Sequence, residues 1–151
     1  MKIGYFFLTI FLFNIFIGSS NSNINDKIVA KIGNEIITNY DIINEINTIL
    51  ALSNKPANDK DLKNLQNIAF VSLKKILIKK IEVNKYKITN YSKLDVNNYI
   101  LGIEKNLGLK NISLEDHFKR YGANYNLFLE GLIINFKWNS LIYSIYKKQL
   151  D

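Results

Sequence analysis

The feature that most constrains the fold of this chain is the stretch from Asp61 to Tyr86, whose apolar residues recur at helical spacing over about seven turns. One stripe of the predicted helix consists of Leu62, Leu65, Ala69, Leu73, Ile76 and Leu77. Val71 and Ile78 fall on nearly the opposite side, so the middle of the helix is apolar on more than one face. Because each apolar face requires a neighbour, we expect this helix to lie at the centre of a helical domain.

Shorter elements are predicted on both sides of this central helix. Residues 27–32 and 35–37 have the pattern of two β-strands, and Gly33-Asn34 between them favours a tight hairpin turn. Because an isolated hairpin is only marginally stable in water, we expect it to pack on helices. The remaining helices are predicted over about residues 38–53, 93–107, 113–121 and 125–148. The sequence therefore predicts a mostly α-helical fold, a small multi-helix domain of about five helices with a short N-terminal β-hairpin.

Capping signals mark several helix boundaries. Thr38 and Asp41 form a T-x-x-D arrangement at the start of the first helix. Either Asp59 or Asp61 is expected to cap the central helix, and Gly108 is placed to end the third helix in a left-handed conformation. The buried positions expected in that third helix are Leu94, Tyr99, Ile100 and Ile103.

The beginning of the chain has the pattern of a secretory signal peptide. Lys2 precedes an apolar and aromatic run from Ile3 to Ile17, and small residues follow, with cleavage expected after Ser20 or Ser22. The alternative is a retained membrane anchor, although a bilayer span needs roughly 20 residues. The predicted division is a signal peptide over residues 1–20, a linker over residues 21–25 and a folded domain over residues 26–151.

The interpretation of the basic composition depends on whether the protein is exported. A formal net charge of +7 and a pI near 9.4 would indicate nucleic-acid binding in a cytosolic protein. An exported protein rarely meets nucleic acid, so no nucleic-acid partner is expected, and the lysine run from Lys74 to Lys80 is interpreted as a solvated rim. The functional alternative is attraction to anionic lipid headgroups or acidic clients. Since the chain contains no cysteine, disulfides cannot hold the fold.

The sequence offers no recognisable catalytic or metal-binding arrangement. His117 is the single histidine, and no G-x-S-x-G or similar frame surrounds any serine. Scattered carboxylates lack the ligand spacing of metal sites. We therefore interpret His117 as an ordinary, partly exposed helix residue, and Glu115 and Asp116 as charges favoured at a helix N-terminus. No enzymatic activity, cofactor or metal is expected.

Three segments carry a more specific pattern. In Ile28 to Ile42 a hairpin leads through an Ile-Thr-x-x-Asp cap into a helix, and Leu73 to Thr89 is a helix with an Ile-Thr exit. Ile112 to Leu132 has a short capped helix and then the run Tyr121-Gly122-Ala123-Asn124-Tyr125. In order and spacing these segments resemble the N-terminal domain of SurA-like periplasmic chaperones, across essentially the whole predicted domain.

The resemblance implies a periplasmic chaperone module that holds unfolded or nascent outer-membrane proteins, without nucleotide or covalent chemistry. Relatives of this kind continue into parvulin-type prolyl isomerase domains and a C-terminal segment that completes the N-terminal domain. The 151 residues have no room for a parvulin fold, so isomerase activity is implied only by kinship. If that C-terminal segment normally covers part of the domain, apolar surface is expected to stay open or to be covered by a second copy.

Two further alternatives remain open. The chain is otherwise expected to be a structural or assembly subunit, which forms a homodimer or pairs with a separate prolyl isomerase. A retained N-terminal segment would anchor the domain to the inner membrane on its periplasmic side.

Aromatic residues are concentrated in the last quarter of the chain. At helical spacing most are expected to be core residues, and a minority is expected to line an open groove for extended client segments. The candidate peptide-binding residues are Phe118, Tyr121, Tyr125, Phe128, Phe136 and Trp138.

Overall fold

The structure, a computed structural model, describes residues 27–56 and 61–150. The elements along the chain are β1 (Ile28–Ile32), β2 (Glu35–Thr38), α1 (Asn39–Ser53), α2 (Leu62–Lys85), α3 (Lys93–Asn106), α4 (Leu114–Arg120) and α5 (Tyr125–Leu150). The predicted fold class is confirmed: the domain is mostly α-helical, with five helices and a two-stranded hairpin before them. The predicted signal peptide and linker lie outside the described residues.

The hairpin begins the described part of the chain. Strands β1 and β2 are antiparallel, with Lys31 opposite Ile36. Gly33 forms the turn with a φ of 61°, which is a conformation that glycine adopts at little cost. Ile37 points into the core and is almost completely buried, where it packs with residues of α1 and α2. The hairpin is thus supported by helices, as its marginal intrinsic stability requires.

Helix termini follow most of the capping predictions. The Thr38 hydroxyl accepts from the Asp41 amide at 3.2 Å, and the Asp41 carboxylate accepts from the Thr38 amide at 2.7 Å, so α1 starts with a reciprocal capping box. Gly108 follows α3 with a φ of 69°, as predicted. The prediction for α2 is corrected for Asp61, whose side chain makes no capping hydrogen bond. Asp59 lies outside the described residues.

Helix α2 is central, with α1 on one side and α5 on another. Its predicted stripe is confirmed where α1 and the hairpin pack on it, because Ala69 is fully buried and Leu73 contacts the same cluster. This first core cluster consists of Ile37, Ile42, Ile46, Leu50 and Ala69. The second apolar side of α2 differs from expectation, since Val71 and Ile78 remain exposed.

A second core cluster joins α4 to the end of α1 and the beginning of α5. Its buried members are Ala51, Leu114, Phe118 and Ala123. Helix α3 packs on this cluster through Ile100 and Ile103, which share one stripe with the buried Val96. Leu94 lies on the opposite side of α3 and is 68% exposed, and Tyr99 lies beside the stripe but is 52% exposed, so their predicted burial is wrong.

Candidate functional site

An open groove of about 400 Å³ lies between α1 and α5, with residues of α2 beneath it. The hairpin residue Glu35 lines one end, and Tyr99 of α3 and Leu52 of α1 line the other. The groove lies where α1 and α5 both pack on α2. Its volume falls within the range of roughly 300–1,000 Å³ that is usual for ligand-binding clefts.

The walls of the groove are mainly aliphatic. Apolar side chains from all three helices contribute, including Leu52, Leu73, Ile76, Leu127, Phe128 and Ile134. Helices α2 and α5 approach each other closely at Gly131, where an added Cβ would lie 3.3 Å from Ile76 Cδ1. Because Ile76 and Gly131 both line the groove, this close approach of α2 and α5 forms part of its wall.

Polar groups of α1 and α2 meet inside the groove. Ser72 Oγ donates a hydrogen bond to Glu45 Oε1 at 2.6 Å. Burial raises the pKa of the Glu45 carboxyl, and the hydrogen bond from Ser72 opposes that rise. Thr48 is only 4% exposed, and its Oγ1 has no hydrogen-bond partner among the residues that the structure describes. An unpaired buried hydroxyl is unusual, because it loses the hydrogen bonds that water would supply.

The charges that line the groove are mostly negative. Four carboxyl groups contribute, those of Glu35, Asp41, Glu45 and Glu130, against one ammonium group, that of Lys80. Lys80 Nζ donates to Glu35 Oε2 at 2.8 Å, so part of this charge is paired. Within residues 27–56 and 61–150, no three His, Asp or Glu side chains are placed to hold a metal ion.

The six aromatic residues proposed from the sequence do not form one surface. Phe118 is 0% exposed, and its ring centroid lies 4.9 Å from that of Phe128 and 5.9 Å from that of Tyr125. The proposal that Phe118 lines an open surface is therefore wrong, because the end of α1 and the first turns of α5 close over α4 at this point. Phe118 is a core residue.

The other five candidates are half-buried. Phe128 lines the groove. Tyr121 contacts both core clusters, and its hydroxyl donates to Asn54 Oδ1 at 3.1 Å. Tyr125 packs on Phe118. The Phe136 ring meets Tyr99 edge to face at 6.2 Å, and neither Phe136 nor Trp138 is among the residues that line the groove.

His117 is buried rather than partly exposed as expected. It is 5% exposed, and its Nε2 lies 2.9 Å from the carbonyl oxygen of Ala51, to which it donates. Leu114, His117 and Phe118 occupy one face of α4 and turn together toward α1. The i, i+3, i+4 spacing puts the three side chains on one face, and the contact with α1 makes the imidazole a structural link in the core.

The sequence reasoning missed Glu45, Thr48 and Ser72. Asp41, Glu45 and Thr48 follow one another at i, i+4 and i+7, which predicts a single polar stripe on α1. A polar stripe is typical of a solvated helix face. Its position under a groove depends on where α5 packs, and the local pattern of α1 does not contain that information.

Comparisons of the chain with protein-family models, with curated proteins and with solved structures find no match. In the part of the chain that the structure describes, no helix combines the length and the apolar character needed to cross a membrane. The groove and its charges are therefore the basis on which a function is proposed below.

Proposed function

We propose that this chain is a non-enzymatic, exported chaperone module, similar to the N-terminal domain of SurA-like chaperones, that holds unfolded outer-membrane proteins in the periplasm. The observation that carries this proposal is the open groove of about 400 Å³ between α1 and α5. Client side chains would be held by transfer of their apolar surface from water to the groove walls, which is favourable by about 25 cal/mol per Å². Such binding needs neither nucleotide nor a covalent step.

Exposed apolar side chains outside the groove also support a role in holding other polypeptides. Ile68, Val71 and Ile78 follow one face of α2, and each is between 40% and 46% exposed. Apolar side chains exposed along one helix face offer surface on which another polypeptide can pack. A non-specific holding function requires this kind of surface, because unfolded clients present many different apolar sequences.

The proposed location and domain division rest on the first 22 residues of the sequence. We propose that residues 1–20 direct export and are removed, that residues 21–25 are a linker and that residues 26–151 form the mature domain. Mass spectrometry of the protein recovered from the periplasm would then give a mature N-terminus at Asn21 or Asn23. A protein that retains Lys2 and fractionates with the inner membrane would instead be an anchored module.

Suppression of aggregation tests the chaperone proposal directly. An unfolded β-barrel client is diluted from denaturant with a several-fold excess of the protein, and light scattering is followed. The proposal expects scattering to fall, and Leu127→Ser in the groove wall to weaken this effect more than Leu94→Ser, which changes an exposed leucine outside the groove. Unchanged scattering with the wild-type protein would refute the holding function.

A structural or assembly subunit is the second candidate, either a homodimer or a partner of a separate prolyl isomerase. Tyr143 and Tyr146 favour it, since they are 68% and 60% exposed near the end of α5 and lie away from the groove. Sedimentation velocity distinguishes the two candidates. A tight dimer that binds no client favours the assembly subunit, whereas a monomer that suppresses aggregation favours the chaperone. Peptide isomerisation above background would refute the non-enzymatic assignment.

A further inference from the structure

The charge of the groove is opposite in sign to that of the chain. The chain as a whole has a formal net charge of +7. The groove is lined by four carboxyl groups and one ammonium group, and Lys80, which carries the ammonium group, is already bonded to Glu35. Low-dielectric walls strengthen the field of charges inside a cleft. The groove is thus a negative, apolar-walled feature on a positive protein.

A second observation points to a ligand. Thr48 lines the groove, its side chain is almost fully buried, and its hydroxyl has no partner within the described residues. A hydroxyl both donates and accepts, so it can pair with either the amide or the carbonyl of a peptide backbone. Threonine has two χ1 rotamers that suit a helix, and a change between them redirects the hydroxyl without moving α1.

We propose that the groove binds an extended peptide segment in which a lysine or arginine lies among apolar residues. The inference rests on the proposed chaperone function and gives its client segments a chemical class. Apolar side chains of the segment pack on Leu127 and Phe128, and its cationic group is attracted to the carboxylates of Glu45 and Glu130. The Thr48 hydroxyl hydrogen-bonds to the backbone of the segment.

Charge complementarity selects this occupant over other peptides. An acidic segment would meet an excess of negative charge in the groove even after Lys80 pairs with Glu35, and like charges brought together in an apolar cleft repel. A purely apolar segment would cover carboxylates that line the groove without giving them a cationic partner. A cationic side chain with a long aliphatic stem satisfies both requirements, since its stem packs on the apolar wall while its charge reaches a carboxylate.

Three labelled peptides test the inference on the full-length mature protein. The first alternates valine with other apolar residues around two lysines, the second has glutamate in place of each lysine, and the third has glutamine there. Fluorescence anisotropy measures their dissociation constants at low and high salt. We expect the lysine peptide to bind at least tenfold more tightly than the glutamate peptide, with an advantage that shrinks as salt is raised. Equal affinities for the lysine and glutamate peptides would overturn the inference.

Matched variants locate the site. Glu45→Gln and Thr48→Val change groove residues at nearly constant shape, whereas Glu115→Gln removes the same charge from an exposed position on α4. We expect each groove variant to weaken binding of the lysine peptide several-fold and Glu115→Gln to leave it within twofold of the wild-type value. If Glu115→Gln weakens binding as much as Glu45→Gln, the attraction comes from net charge and the groove assignment fails.

The outcomes separate this inference from the proposed function. If the wild-type protein suppresses client aggregation and Leu127→Ser removes that effect, but the lysine peptide has no advantage, holding stands and the charge preference is wrong. If the protein neither suppresses client aggregation nor binds any of the three peptides, both proposals fail. A homodimer that dissociates when Glu45→Gln or Leu127→Ser is introduced would show that a second copy fills the groove, and this would also overturn the inference.

Discussion

The polar groups on the two sides of α1 differ in how completely they are hydrogen-bonded. Toward α4 and the start of α5, two asparagines of α1 are hydrogen-bonded: Asn44 Oδ1, at the border of the groove, accepts from the Asn124 amide at 2.7 Å, and Asn47 Nδ2 donates to the Gly122 carbonyl at 3.2 Å. The Ala51 carbonyl, near the end of the helix, accepts from His117 as well as from the Asn54 amide. These three hydrogen bonds tie α1 to α4 and to the start of α5, so this closed side fixes the position of those helices.

On the groove side, the same helix is only partly satisfied. Glu45 has one hydrogen bond from Ser72, and the Thr48 hydroxyl has none among the described residues. Buried polar groups are almost always paired, so an unpaired one calls for an explanation, of which ligand binding is one. The contrast within one helix indicates that the closed side holds the fold together, while the groove side retains the capacity to bind another molecule.

The largest effect is expected on the closed side, from Phe118→Ala. Phe118 is completely buried between Tyr125 and Phe128, so its loss leaves a cavity that costs about 3–5 kcal/mol of the free energy of unfolding. Urea denaturation measures this change. The matched change Leu127→Ala, at a partly exposed groove position, should cost much less, and equal costs would show that the groove wall is as tightly packed as the core.

A smaller loss is expected from Asn44→Ala. The substitution leaves the Asn124 amide without its buried partner, and an orphaned amide of this kind costs about 1–3 kcal/mol. Asn124 also accepts from the amides of Asn126 and Leu127, so the start of α5 should fray as well. Urea denaturation gives the stability, and amide hydrogen exchange in the first turn of α5 gives the fraying. Unchanged exchange there would mean that Asn44 does not position α5.

A change of opposite sign is expected from Thr48→Val. Valine has nearly the same shape and removes an unpaired buried hydroxyl, so stability should rise by about 1 kcal/mol. The control is Thr38→Val, which removes the same group from the capping box of α1 and should lower stability by about 1 kcal/mol. If both variants lose stability, the Thr48 hydroxyl has a partner in solution and the contrast between the two sides of α1 disappears.

The smallest effect is a pH dependence at Glu45. Burial raises its pKa in the folded protein above the ordinary value of 4.5, so the folded state disfavours the ionised carboxylate. The stabilising contribution of the neutral form is present at low pH and is lost as pH rises through the raised pKa. Glu45→Gln should therefore be more stable than the wild type at neutral pH, and the difference should shrink as pH falls toward 4.5. Thermal unfolding at several pH values measures the stability difference from the wild type. The control is Glu115→Gln, whose difference from the wild type should not depend on pH in this way.

The candidate site was predictable only in outline. The sequence indicated that apolar surface would be left open and that Phe128 would lie on it, and Phe128 does line the groove. It placed Phe118 on the surface and His117 at partial exposure, and both are buried. On a helix as short as α4, the face that carries Leu114, His117 and Phe118 is buried only if another element packs on it. Helix spacing alone does not reveal which neighbour that is.

The sequence by itself determined where the elements begin and end. Helical spacing, the Thr38–Asp41 capping box and the glycine turns act between residues a few positions apart, so they can be recognised in the sequence. Only the tertiary structure decided which faces meet. The Ser72–Glu45 hydrogen bond joins residues 27 positions apart and the Asn124–Asn44 bond joins residues 80 positions apart. Burial, and with it the polarity of the groove, depends on those distant contacts, because a side chain is removed from water only when another part of the chain covers it.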